Sequence, residues 1–222
     1  MNIAILGSGL MGSRLGLLFT KAGHQVTFSY SRHQEKLQQL SERAGKKASW
    51  AMPADAVANA DVVLLAVHWS QVHDVLSLAG PLAGRTVISC VVPLDDNNSQ
   101  LVIGHDDSGT EQIAKLLPDC QLVAAFQTTP SEILESVFRG RIRDTSLKPS
   151  VLFCSNEPEA SRVAAKLIND IGFNPVNAGS LKSARYTEPF AMLTVQLAYF
   201  RNDGPMLTYQ FRLNDQAVQD ID

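Results

Sequence analysis

Long apolar runs, clustered cysteines, basic tracts and internal repeats are all missing from this sequence of 222 residues. No stretch approaches the roughly 20 consecutive apolar residues that carry a helix through a bilayer, so no membrane span is expected. Met1-Asn2 run straight into an apolar, strand-like segment without the charged leader of a signal peptide, and the expected compartment is the cytoplasm. With a formal net charge of −3 and no extended Lys/Arg tract, the chain lacks the electrostatic footprint of a general nucleic-acid binder. Cys90, Cys120 and Cys154 are far apart and have no metal-ligand spacing, which leaves buried structural thiols as the expectation. His24, His33, His73 and His105 are equally scattered and read as surface or strand-edge residues; no metal is expected.

What the chain does have is concentrated near its start. The apolar run Ile3-Ala4-Ile5-Leu6 leads into Gly7-Ser8-Gly9-Leu10-Met11-Gly12, and Leu15, Phe19 and Ala22 then recur at helical spacing with Gly16 on the same side. Gly23 stops that helix, and residues 24–30 alternate Val26, Phe28 and Tyr30 on one side as a second strand. In such a strand-turn-helix-strand unit, Gly7 permits the tight turn, Gly9 lets the backbone approach a pyrophosphate, and Gly12 lets the helix pack closely on the sheet. The amino end of the helix, at Leu10 and Met11, then faces the phosphates.

The end of the second strand reports which dinucleotide is taken. A site for NAD usually places Asp or Glu there, to accept from the ribose 2′-hydroxyl, whereas a 2′-phosphate calls for cations. Ser31 and Arg32 occupy the position, with Lys36 one helical turn on. A guanidinium can bind phosphate oxygens in pairs and stack on adenine, a hydroxyl can donate, and an ammonium adds a point charge. NADP(H) is therefore expected over NAD(H).

Strand and helix continue to alternate: helices at 34–44 and 53–60, a buried strand at 61–67, a helix at 71–79, a strand at 86–92, a helix at 110–117 and a strand at 121–126. This predicts an α/β, doubly wound, mostly parallel sheet of the NAD(P)-binding Rossmann type. The polar loop 95–108 reads as a surface excursion or flap. Further on come a strand at 150–154, a helix at 158–171, a short edge strand at 174–176, an apolar helix at 180–199 and a possible last strand at 206–213, with 214–222 acidic and frayed. Two parts are expected: a dinucleotide-binding domain over 1–130, and a smaller C-terminal α/β part over 131–222 that completes the substrate cleft. The helix at 180–199, apolar around much of its circumference, predicts burial by the other part or by a second subunit, hence a homodimer.

Beyond the glycine turn and Ser31-Arg32 with Lys36, the chain carries Val67-His68-Trp69, Val91-Val92-Pro93-Leu94, Ala124-Ala125-Phe126-Gln127-Thr128-Thr129-Pro130 and Asn177-Ala178-Gly179-Ser180-Leu181 with Arg185. Through these segments, over nearly its whole length, it resembles the coenzyme F420-dependent NADP oxidoreductases. That resemblance implies a Rossmann domain holding NADP(H), contacts to it from Val67, His68 and Pro93, and hydride transfer to or from the deazaflavin F420 as co-substrate. Two positions depart from the family's pattern: Gln127 stands where archaeal members have His, and His68 where they have Pro. Similar domains in ferric reductases and pyrroline-carboxylate reductases keep a second class open, reduction of another small acceptor such as an imine or a ferric chelate, and a non-catalytic NADP(H) sensor is a third. Hydride transfer needs positioning and exclusion of water more than side-chain chemistry. Candidates to face the reacting ring are His68, Gln127 and Thr128, with Trp69, Pro93 and Pro130 beside them; His68 can act as a proton donor or simply pack beside the cofactor.

Overall fold

A computed structural model describes residues 1–140, 148–201 and 204–212. In chain order its elements are β1 (Asn2–Leu6), α1 (Leu10–Lys21), β2 (Gln25–Ser29), α2 (Gln34–Ala44), β3 (Ala48–Trp50), α3 (Pro53–Ala58), β4 (Val62–Leu65), α4 (Val72–Ala79) and β5 (Thr86–Ser89). They continue as α5 (Gly109–Leu116), β6 (Gln121–Ala125), α6 (Leu134–Phe138), β7 (Ser150–Ser155), α7 (Pro158–Asp170), β8 (Asn174–Asn177) and α8 (Ala184–Val195). One sheet of eight strands runs β3-β2-β1-β4-β5-β6-β7-β8. All neighbours are parallel except β6 and β7, which meet antiparallel with Ala124 opposite Cys154.

This order is the doubly wound arrangement with a reversed two-strand extension, and the core follows from it. β1, β4 and β5 lie inside the sheet and are covered on both faces, so Ile3–Leu6 and Val62–Leu65 are buried without alternation. One face packs Leu15, Phe19, Phe28 and Val123 under α1 and α7, and the other packs Val57, Val75, Val87 and Ile113 under α3, α4 and α5. Gly16 is part of this fit, because a Cβ there would stand 2.3 Å from the Phe28 ring.

Several expectations change. β3 and α6 escape sequence reading: three and five residues are too short for periodicity to register. β5 ends at Ser89 because the Ser89 hydroxyl accepts from the Val91 amide and turns the chain off the ladder. Residues 206–212 form no strand; Tyr209 and Phe211 instead pack tilted and edge-on against Phe190 and bond to Ser150, while residues 213–222 lie outside the described part. The apolar stretch 180–199 is not one helix but a 3₁₀ turn (Leu181–Ser183), α8 with Pro189 inside it, and a π-helical turn (Gln196–Phe200). Of the cysteines only Cys154 is fully buried, its thiol pushed up to about 12 by desolvation; Cys90 and Cys120 are half-buried. His24 is no surface residue: it is 5% exposed, with Nε2 3.0 Å from Asp170.

Candidate dinucleotide-binding site

The chain leaves β1 through Gly7, whose φ of +122° only glycine adopts without strain and whose absent side chain would meet the Ala66 carbonyl at 2.2 Å. Gly12 is excluded from growing by the Gly7 carbonyl, 2.0 Å from where its Cβ would lie. Gly9 is different: a Cβ there meets nothing within 4 Å, so its smallness serves space outside the protein. It is also the N-cap of α1 and offers no side-chain acceptor, and no acidic residue occupies the first turn. The leading N–H groups of Leu10, Met11 and Gly12 and the positive end of the helix are thus left for an anion.

Helix α5 shows the opposite treatment. Its N-cap Ser108 accepts from the Glu111 amide, and Glu188, reaching over from α8, accepts from the Gly109 amide (2.8 Å), the Thr110 amide (2.9 Å) and the Thr110 hydroxyl (2.9 Å). Glu188 is 1% exposed; burial pushes its carboxyl pKa up against the opposing pull of these donors. Glu111 is held low by Arg185, whose guanidinium donates twice at 2.8 Å.

In front of the bare end of α1 lies a cleft of about 820 Å³ that brings together Gly7, Ser8, Gly9, Ser31, Arg32, Lys36, Val67 and His68. Arg32 and Lys36 are exposed and no carboxylate stands at the end of β2, where Tyr30, Ser31 and Arg32 follow Ser29. The Ser31 hydroxyl accepts from the His33 amide and so shapes the entry to α2. Leu10 and Lys36 also border a second hollow of about 490 Å³ beside Gly9. Pro93 stands apart from the cleft, buried against Gly109.

The candidates for the reacting face are mostly committed to the protein. His68 caps the 3₁₀ turn Trp69–Gln71: its Nδ1 accepts from the Ser70 amide (3.2 Å), and Nε2 then donates to the Asp95 carbonyl (3.2 Å). That bond anchors the loop after β5, which is closed on itself by Asp95 accepting from Ser99 and Gln100. Gln127 donates to the Val91 carbonyl (2.6 Å) and accepts from Thr187 (3.4 Å); Thr128 is 3% exposed, its carbonyl accepting from Thr194. Sequence reading missed two further groups. Arg14, one turn into α1, donates to Ser131 (2.5 Å) and pairs with Glu132 (3.1 Å), to which Tyr199 also donates (2.8 Å), and Tyr30 donates to Asp74 (2.7 Å). No local pattern signals them, since the partners lie 117, 67 and 44 residues apart.

A bare helix end at a glycine turn, opposite a cationic strand end at the carboxyl edge of a doubly wound sheet, defines a Rossmann-type dinucleotide-binding protein. Residues 2–93 match the family described as NADP oxidoreductase, coenzyme F420-dependent. The F420-dependent NADP reductase of Methanocaldococcus jannaschii is 29% identical over 216 residues, covering 89% of this chain and 92% of that protein. Metalloreductase STEAP3 of Rattus norvegicus is 28% identical over 187 residues, 84% of this chain but 36% of its own length. A crystal structure of a candidate F420-dependent NADP-reductase from Arthrobacter sp. FB24 superposes with TM-score 0.84 at 23% identity, over 96% of this chain and 100% of that one. A reductive aminase from Aspergillus terreus, in complex with NADPH4, shares the fold at TM-score 0.63 and 18% identity, over 90% of this chain and 62% of its own. This chain is an oxidoreductase, similar through residues 2–93 to the coenzyme F420-dependent NADP oxidoreductases.

Proposed function

We propose that the protein binds NADP(H) and passes a hydride between its nicotinamide and a deazaflavin, F420, or another flavin-like acceptor. The observation that carries this is the pairing of an uncapped α1 behind an open Gly9 with Arg32 and Lys36 on the same cleft. The bound nicotinamide supplies the hydride; the chain's residues hold its phosphates, fix the ring against the strand ends and exclude water. Gly7 to Gly12 take the pyrophosphate, Ser31, Arg32 and Lys36 take the 2′-phosphate, and Val67 and His68 border the cofactor after β4, while Pro93 supports the wall behind them from its seat against Gly109. With both ring nitrogens of His68 engaged, its part is to fix the loop rather than to move a proton.

Residues 1–130 act as the NADP-binding part, and 131–222 complete the acceptor side through the Arg14–Glu132–Tyr199 cluster. A homodimer forms through α8 and the π-helical turn after it, where Tyr186, Leu193 and Phe200 recur every seven residues and are 70%, 50% and 66% exposed. Among the described residues no helix is long and apolar enough to cross a membrane, and the reading places the protein in the cytoplasm. The metalloreductase relative favours a second reading, reduction of a small acceptor such as a ferric chelate.

Titration with NADPH and NADH, followed by NADPH oxidation against F420, flavins, ferric chelates and cyclic imines, tests both readings. Tighter NADPH binding and turnover with F420 or a flavin are expected. Arg32→Ala should remove most of the preference, which one charge-assisted contact makes roughly ten- to a hundredfold. Equal affinity of the unmutated protein for the two cofactors overturns the 2′-phosphate assignment, and binding without turnover makes the protein a sensor.

A further inference from the structure

Among the residues bordering the 820 Å³ cleft there is a single carboxylate, Asp74, in the first turn of α4. The other charged residues there, Arg32 and Lys36, are positive, as a pocket for phosphates requires, so an acid on its far wall needs a separate reason. Asp74 is joined across the cleft to Tyr30, whose hydroxyl donates to Oδ2 at 2.7 Å. Tyr30 is the first residue after β2 and holds a φ of +59°, in the left-handed region that favours glycine. The sequence spends a strained tyrosine where glycine would be easier, and the bond to Asp74 is what that residue delivers. Burial and the carboxylate push the phenol up to about 12, so Tyr30 remains a donor at any physiological pH. Oδ1 of Asp74 has no donor among the described residues.

In a doubly wound fold the adenosine half of a dinucleotide lies over the end of β2, between Ser31-Arg32 and the segment after β4. The pair stands at that end, beside Met52, Pro53 and Leu78. A free carboxylate oxygen there accepts from an N–H donor, and the 6-amino group is the strong donor that adenine carries. We propose that Tyr30 and Asp74 read the base: Asp74 accepts from the adenine 6-amino group, and Tyr30 is the positioning residue that holds the carboxylate across the cleft. This rests on the dinucleotide reading above.

The test compares NADPH with nicotinamide hypoxanthine dinucleotide phosphate, in which a 6-oxo acceptor replaces the 6-amino donor, and repeats the comparison with NADH and its hypoxanthine counterpart. The unmutated protein is expected to favour adenine roughly ten- to a hundredfold, the ratio of a charged hydrogen bond made to one lost against an unpaired acceptor. Asp74→Asn, whose amide can present oxygen or N–H, should bring the ratio near one. Tyr30→Phe, which keeps the ring, should lower it part of the way. Equal affinity for the two bases in the unmutated protein, or an unchanged ratio in Asp74→Asn, overturns the proposal; an unchanged ratio in Tyr30→Phe removes Tyr30 from it. The pair lacking the 2′-phosphate keeps the readings separable, since base discrimination that persists while NADPH and NADH bind alike defeats the Arg32 assignment and leaves this one standing.

Discussion

Gly9 and Gly12 stand three residues apart and are glycine for different reasons. A side chain at Gly12 collides with the Gly7 carbonyl, so Gly12→Ala should unsettle the turn itself and lower the melting temperature. A side chain at Gly9 meets open space, so Gly9→Val should fold with an unchanged melting temperature yet weaken NADPH and NADH alike by tenfold or more, as calorimetry would read it. The sequence motif already gives Gly9 to the pyrophosphate and Gly12 to helix packing; the surroundings of each missing Cβ add the steric reason, a carbonyl against Gly12 and open space at Gly9. The same limit applies to His24. Its neighbours in sequence mark the start of a strand, but its burial beside Asp170, 146 residues away, depends on α7 docking there. Burial lowers its pKa below 6.5, with Asp170 opposing, so the folded state binds fewer protons than the unfolded one. The stability of neutral His24 is therefore complete above 6.5 and declines as the pH falls through that value. Thermal melts on either side of 6.5 should show this slope, and His24→Gln should flatten it; an equal slope in both proteins would assign the acid loss to other groups.

At the scale of elements, α1 and α5 divide one problem between two answers. Both follow parallel strands and point their amino ends toward the same edge of the sheet, but Glu188 fills one end and nothing in the chain fills the other. Removing the carboxylate strands two buried amides and a hydroxyl, so Glu188→Ala should cost on the order of 3 kcal/mol in denaturant unfolding, with Glu188→Gln losing less because it keeps an acceptor. If Glu188→Ala melted like the parent, α5 would owe nothing to this cap. The order and type of the long elements were readable from the sequence because apolar runs such as Val62–Leu65 belong to strands buried on both faces, and because glycines and prolines mark their ends. The cap from α8 onto α5 was not, since glutamate in a helix ordinarily signals a solvent face.

For the whole molecule, the reversal between β6 and β7 sends the chain back so that α8 ends beside Thr128, Glu132 and the first turns of α1. The helix expected to be buried by the other part or by a second subunit is buried within the chain on one side: Ala184, Glu188 and Ala191 are covered, while Tyr186 and Leu193 face outward. Light scattering at micromolar concentration should report a dimer, and Leu193→Asp should shift it toward monomer; a monomeric parent protein would refute the assignment of this face.

The two rims of the sheet bear on how such a dimer can form. β3 offers three residues, and β8 four with Pro175 among them, so neither rim presents a long row of free amides to a neighbouring chain. Growth by strand addition, the open-ended route that leads to fibres, is closed at both margins. The contact proposed for α8 is of another kind, face to face through side chains, which two partners complete and a third cannot extend.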